Sequence, residues 1–255
     1  MSACFLSVLL VACGAGNSET GEESPARSTI ESSPAPPRSD SDPPPVDQAW
    51  LKSLHKGVDV SGHSGEIDWN AVVAAGQDFA FLKATEGMDL QDPAFAVHWL
   101  AAKKARMTRG AYHFYVTEDD PEKQARFFIE TVILEAGDLA PVVDIELIGH
   151  GTEPGLAGRL RTWLSVVEAH YGVKPIIYTS PNFWDQHLTA DFGDYPLWVA
   201  EYGVEAPRLP KGWDTWHLWQ WQNDATVAGV EKGADLNRLH RNGPDLSVLF
   251  VPEQK

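Results

Sequence analysis

The sequence predicts an α/β fold: an irregular, TIM-like (β/α) barrel whose helices are reduced in its C-terminal part. Three observations predict it. Apolar runs of strand length alternate with helix-length stretches, the pattern of parallel strands joined by crossovers. Eight such runs follow one another between Gly57 and Asn237, the number that closes a barrel. The chain has 255 residues, enough for one such domain, since barrels of this kind commonly take about 250.

Gly57-Val58-Asp59-Val60-Ser61 reads as the first strand, ending at a polar turn. Ile67-Asp68-Trp69 then opens a helix, with Asp68 as the N-cap because its short carboxylate can accept from free first-turn N–H groups. Phe79 to Thr85 is the second strand, followed by a loop with Glu86-Gly87 and a helix from about Asp92 to Arg106. Gly110 to Tyr115 is the third, and Asp119-Asp120-Pro121-Glu122 starts the next helix by a cap and a first-turn proline. Ala140-Pro-Val-Val-Asp-Ile-Glu146 is the fourth, with a helix from about Leu156 to His170 behind it. Pro175 to Thr179 is the fifth, after which helices become short or absent. Pro196 to Ala200, His217 to Gln222 and Gly233 to Asn237 complete the set.

The fourth strand carries the chemistry. Side chains alternate along a strand, so Asp144 and Glu146 point one way while Val143 and Ile145 point the other. A lone Asp-x-Glu is usually a solvated strand end. Here Asp59, Asp144, Glu146 and Asp235 all fall at the carboxyl ends of expected strands, where barrel enzymes build their sites. Crowded carboxylates raise the pKa of the least solvated one, so that one acid stays protonated beside others that are charged. Glycoside hydrolysis needs that combination: a proton donor for the leaving oxygen and negative charge for an oxocarbenium-like state. Tyr112, Tyr178, Trp198, Tyr202 and Trp219 lie near the same strand ends and suit stacking on pyranose faces, although core packing would explain each one singly as well.

Other chemistries find less support. There is no Walker loop and no G-x-G-x-x-G, and Gly62-His63-Ser64-Gly65-Glu66 lacks the final glycine of a nucleophile elbow. The nine His show no H-E-x-x-H spacing, so neither a metal nor a cofactor is expected. A net charge of −16 argues against nucleic acid. Nothing requires more than a monomer, and no repeat of solenoid period occurs.

Both cysteines, Cys4 and Cys13, lie in an amino-terminal apolar run at residues 3–13, which has the length of a signal h-region. Leu10-Val11-Ala12-Cys13-Gly14 resembles the bacterial lipobox, which makes residues 1–12 a signal peptide and Cys13 a lipid anchor. One departure is that no Lys or Arg precedes the apolar run. Residues 13–48 are rich in Ser, Pro and acids and read as a disordered tether, leaving 49–255 as the folded domain. The expected location is the bacterial cell envelope, anchored to a membrane and facing the periplasm or exterior.

The domain resembles the glycoside hydrolase family 25 muramidases, the Chalaropsis-type lysozymes. The resemblance rests on Gly57-Val-Asp-Val-Ser61 with Ile67-Asp-Trp69, Phe79-Ala-Phe-Leu-Lys-Ala-Thr-Glu-Gly87, Gly110-Ala-Tyr-His-Phe114 and Pro141-Val-Val-Asp-Ile-Glu146. It continues in order through Ile177-Tyr178, Leu197-Trp-Val-Ala200, Leu218-Trp-Gln-Trp-Gln222 and Asp235-Leu-Asn237. It implies cleavage of the β-1,4 bond between N-acetylmuramic acid and N-acetylglucosamine, with peptidoglycan glycan strands as the partner. On matching positions Glu146 would be the general acid/base and Asp144 would support the substrate's own acetamido group as nucleophile. Asp59 and Asp235 would tune charge and hold substrate. Tyr112, His113, Tyr178, Trp198, Tyr202 and Gln220 are the expected substrate-binding residues. Ser64 stands where many members carry Gln, and Leu239 where an aromatic is usual. Two other readings compete: a peptidoglycan-binding lipoprotein that has lost turnover, and another N-acetylhexosaminide hydrolase such as a chitinase-like barrel, whose longer D-x-x-D-x-D-x-E motif is absent here.

Overall fold

The computed structural model describes residues 55–149, 155–188, 192–240 and 243–252; the expected signal peptide, Cys13 and the tether lie outside them. The strands are β1 (His55–Val60), β2 (Phe79–Glu86), β3 (Leu90–Gln91), β4 (Thr108–Phe114), β5 (Val142–Asp144), β6 (Ile176–Thr179), β7 (Leu197–Ala200), β8 (Leu218–Ala225) and β9 (Ala234–Leu239). They pair in the order β1-β9-β8-β7-β6-β5-β4-β2-β3, and β1 also pairs with β2, so eight strands close a barrel with β3 as a flap on β2.

From β1 through β8 neighbouring barrel strands run parallel. The eighth barrel strand departs from expectation. β9 is antiparallel to both β8 and β1. Its connection, residues 226–233, contains no helix and is too short for the crossover that a parallel strand needs.

The helices are α1 (Trp69–Ala74), α2 (Phe95–Lys104), α3 (Pro121–Thr131), α4 (Leu156–Tyr171) and α5 (Pro181–His187). Asp68 caps α1 by accepting from Asn70 N–H at 3.0 Å and Ala71 N–H at 3.2 Å. Asp120 caps α3 by accepting from the N–H groups of Glu122 and Lys123, with Pro121 in the first turn. α2 starts later than expected because Asp92 serves the preceding loop: its carboxylate accepts from Gly62 N–H at 2.8 Å and Ala94 N–H at 2.9 Å. That contact ties the turn after β1 to the start of α2.

Alternation along the strands divides the core in two. Phe79, Phe81, Val142, Ile176, Trp198, Leu218 and Leu239 fill the barrel, with Leu139 and Leu249. Val58, Ala80, Leu82, Val143, Ile145, Ile177 and Val199 belong to the outer layer with Trp69, Trp99, Phe128, Trp163 and Trp184. Gly57 and Gly110 make room for the inner aromatics, since a Cβ at either would come within 2.4 Å of the Phe79 or Phe81 ring.

Candidate active site

The inner face that is apolar deep in the barrel turns polar towards one rim, because each strand places its next inward residue two positions further on. Asp59 from β1, Lys83 from β2, Tyr112 and Phe114 from β4, Asp144 from β5, Tyr178 from β6, Trp198 from β7, Gln220 from β8 and Asp235 from β9 line one cleft with Glu146. Ser61 and His63, just past β1, complete the wall. A second arm of the groove runs past Asp59 between Ser64, Asp224, Lys232 and Gly233.

All four expected acids therefore meet, although one arrives by a different route. Asp235 sits at the amino end of β9, opposite Asp59 in register. Because β9 runs antiparallel, its beginning lies at the rim where the parallel strands finish.

β5 is shorter than the expected strand and ends at Asp144. The segment beyond it stays held between its neighbours. Tyr115 N–H donates to Asp144 O at 2.8 Å, Ile145 N–H donates to Tyr178 O at 3.0 Å, and the Thr179 hydroxyl donates to Ile145 O at 2.8 Å. Ile145 is thereby pinned outward, and Asp144 and Glu146 both face the cleft.

Asp144 is 7 % exposed, and its Oδ1 is buried with no protein donor among the described residues. Burial raises its pKa well above the usual carboxylate value, the Glu146 charge adds to this, and Lys83 opposes it. Glu146 is raised for the same first reason and then by Asp235, against the pull of Lys83 and a hydrogen bond from Tyr178. Asp59 is pushed up to about 7 by burial and the charge of Asp235, even though Gln220 Nε2 (2.8 Å) and Asn237 Nδ2 (2.7 Å) both donate to its Oδ2.

A carboxyl with a raised pKa in the folded state keeps its proton where the unfolded chain has lost it. The stability this confers is complete below the unfolded value and is lost as pH rises through the folded one. For Asp59 that window runs from 3.8 to about 7. Unfolding free energy is expected to fall across that window, and Asp59→Asn is expected to flatten the fall by about 1–3 kcal/mol. Urea titrations across the range check this; equal slopes for mutant and parent would refute it.

Gln220 is more heavily committed than a ligand-binding amide would be. Its Oε1 accepts from the hydroxyls of Tyr178, at 2.8 Å, and Tyr202. Its Nε2 donates to Asp59 Oδ2 at 2.8 Å and to Asp235 Oδ2 at 3.2 Å. Asp235 Oδ1 accepts from Asp224 N–H at 2.8 Å.

The aromatic residues divide. Tyr112 and Tyr178 line the cleft, and Tyr202, 43 % exposed, stands at its mouth. Trp198 is floor more than wall: it is 2 % exposed, stacks on Phe81 at 4.6 Å and donates from Nε1 to Asn237 Oδ1 at 2.9 Å. Trp219 faces the outer layer, where its Nε1 donates to Glu201 O at 2.8 Å.

His113 is a correction. It alternates with Tyr112 and so points out of the barrel, fully buried, with Nδ1 2.8 Å from Thr85 Oγ1 and Nε2 3.1 Å from Gln124 Oε1. Its ring stacks on Trp163, and burial lowers its pKa to about 3, so it is a neutral core residue and not a substrate contact.

Lys83 and Phe114 were not among the expected site residues. Each lies two positions past an inward aromatic, Phe81 or Tyr112, and that spacing was the available signal. Lys83 Nζ pairs with Glu86 at 2.6 Å and lies 4.8 Å over the Phe114 ring. Asn237, which bonds Asp59 and Trp198, is a further supporting residue.

Comparison with known proteins places this geometry among relatives. The family described as Glycosyl hydrolases family 25 matches residues 58–230. The chain is 36 % identical to the protein YegX of Escherichia coli (strain K12) over 198 residues, 76 % of this chain and 72 % of that one. It is 34 % identical to Lysozyme M1 of Streptomyces globisporus over 207 residues, 76 % of this chain and 70 % of that one. Its fold superposes on the bacterial lysozyme from Streptomyces coelicolor with a TM-score of 0.69 at 30 % identity, covering 76 % of this chain and 94 % of the other.

Proposed function

Because the chain belongs to the glycosyl hydrolases of family 25, and is thus a glycoside hydrolase, we propose that it is a muramidase cutting the β-1,4 bond between N-acetylmuramic acid and N-acetylglucosamine in peptidoglycan. The observation that carries the reading is the pairing of Glu146 with Asp144, two carboxyls that line one cleft.

Glu146, its proton retained by burial and by the nearby Asp235 charge, donates to the glycosidic oxygen as the bond to C1 breaks. The carbonyl oxygen of the substrate's 2-acetamido group closes on C1 and forms an oxazolinium ring. The Asp144 carboxylate accepts the acetamido N–H and balances the positive charge that develops. Glu146, now a carboxylate, takes a proton from water as the water's oxygen opens the ring at C1. The product is a hemiacetal, and Glu146 is again protonated. Asp59 and Asp235 supply further negative charge beside the sugar ring.

The test is mass spectrometry of material released from purified peptidoglycan. Muropeptides that carry a reducing N-acetylmuramic acid end are expected. A protein that sediments with the wall and releases nothing would instead be a binding protein.

We further propose that Cys13 carries a lipid that holds the enzyme at the envelope, which the lipobox-like Leu10 to Gly14 supports. Cys13→Ser is expected to move the protein from the membrane fraction to the soluble one on cell fractionation. An unchanged membrane fraction would refute the anchor.

A further inference from the structure

Among the described residues two that are not glycine have a positive φ, Arg106 at 63° and Asp224 at 50°. Arg106 follows the end of α2, where a left-handed residue is an ordinary way to stop a helix. Asp224 lies inside β8, where such a backbone is unfavourable for a residue with a Cβ.

The pairing of β8 with β9 accounts for it. Between the partners Gln220↔Asn237 and Ala225↔Ala234, β8 takes five steps where β9 takes three, so two extra residues bulge from β8. A bulge leaves a backbone N–H without its ladder partner. The Asp224 N–H is turned instead onto Asp235 Oδ1, at 2.8 Å. Gly233, at φ 111°, makes the room: a Cβ there would lie 2.8 Å from Asp224 Oδ1.

Asp235 is a group that needs holding. It stands opposite Asp59 in the β1–β9 register, and like charges directly opposite one another on antiparallel strands repel. A carboxylate free to rotate would swing away from its neighbour. Asp235 is instead gripped at both oxygens, Oδ1 by the Asp224 N–H and Oδ2 by Gln220 Nε2 at 3.2 Å. The bond from the main chain is the shorter of the two, and its donor has no side-chain rotamer through which to turn away.

We propose that Asp224 is a positioning residue: its left-handed backbone aims its N–H at Asp235 and so holds that carboxylate beside the sugar ring. The proposal rests on the muramidase reading, in which Asp235 supplies negative charge as the oxocarbenium-like state develops. On this account the backbone at 224 matters more than the side chain. The rival account is a direct contact between substrate and the Asp224 carboxylate, which lines the second arm of the groove.

The experiment measures kcat and KM for reducing-end release from purified peptidoglycan. Asp224→Val puts a branched Cβ where a left-handed backbone excludes it. It is expected to lower kcat about 10-fold with KM within about two-fold, as loss of a charge-assisted hydrogen bond used in the transition state requires. Asp224→Gly and Asp224→Asn can both adopt the turn and are expected to keep kcat within about three-fold of the parent. In an Asp235→Ala background, adding Asp224→Val should lower kcat by less than about two-fold, because the group it positions is gone.

If Gly and Asn fall as far as Val, the side chain is what acts and the proposal is overturned. An equal fall in the parent and Asp235→Ala backgrounds would mark a general structural role and overturn it too, as would a Val variant at the parent rate. If Asp224→Val fails to fold, replacing the amide between residues 223 and 224 by an ester decides, since it deletes the donor and leaves the side chain. A kcat about 10-fold down then supports the proposal, and one within about two-fold of the parent overturns it. An inactive parent would overturn the muramidase reading and the proposal with it, whereas an active parent that fails these comparisons would strike only at Asp224.

Discussion

Glu146→Gln is expected to lower kcat about 10²- to 10⁴-fold, the range that a positioned general acid contributes, while the barrel stays folded. The amide matches the carboxyl in size but cannot release a proton to the glycosidic oxygen or recover one from water. Stability should hold or rise. Glu146 is half-buried and its charged form is already disfavoured, so a neutral replacement removes a cost of folding at pH 7. The loss should depend on the leaving group. An aryl glycoside whose phenol departs without protonation should recover much of the first step, whereas native glycan should not. Wild-type turnover on glycan, or a melting temperature that collapses with activity, would contradict the assignment.

Asp144→Asn is the second large effect, and the leaving group separates it from the first. The Asp144 carboxylate is the acceptor to which we assign the acetamido N–H; an amide nitrogen turned to that N–H cannot accept, and the negative charge is gone. Removing one such electrostatic partner is expected to cost about 10²- to 10³-fold in kcat, and an activated aryl leaving group should not restore it. The variant should be more stable than the parent near pH 7, since a carboxylate held far above its ordinary pKa is exchanged for a neutral group. Recovery of Asp144→Asn on aryl substrates comparable to that of Glu146→Gln would show that Asp144 assists proton transfer instead.

Much of the site was legible in the chain because alternation is a local property. Asp59, Asp144 and Glu146 were placed by their spacing within single strands, and Asp68 and Asp120 announced their helices by cap chemistry alone. Direction was not legible. The pattern around Ala234 to Leu239 reads the same for a parallel or an antiparallel strand, and only the missing crossover told against the former. Face was harder still: Tyr112 and His113 sit in one motif, and choosing between them needed the close approach of Gly110 to Phe81 on the inner side. The commitments of Gln220 were hidden for a different reason. Its partners lie between 15 and 161 residues away in sequence, so nothing local marks its amide as fully engaged.

The reversed last strand has a consequence for how the enzyme comes into being. β9 fills the gap between β8 and β1 and carries both Asp235 and Asn237, the latter bonding Asp59 across 178 residues of chain. A chain that has not yet presented this strand has an open sheet, an Asp59 without its Asn237 donor, and an acidic cluster that lacks Asp235. Closure depends on a contact between the first and last strands, the kind of long-range pairing that forms late in folding. In that order of assembly the acidic cluster is completed only when the final strand is zipped into place.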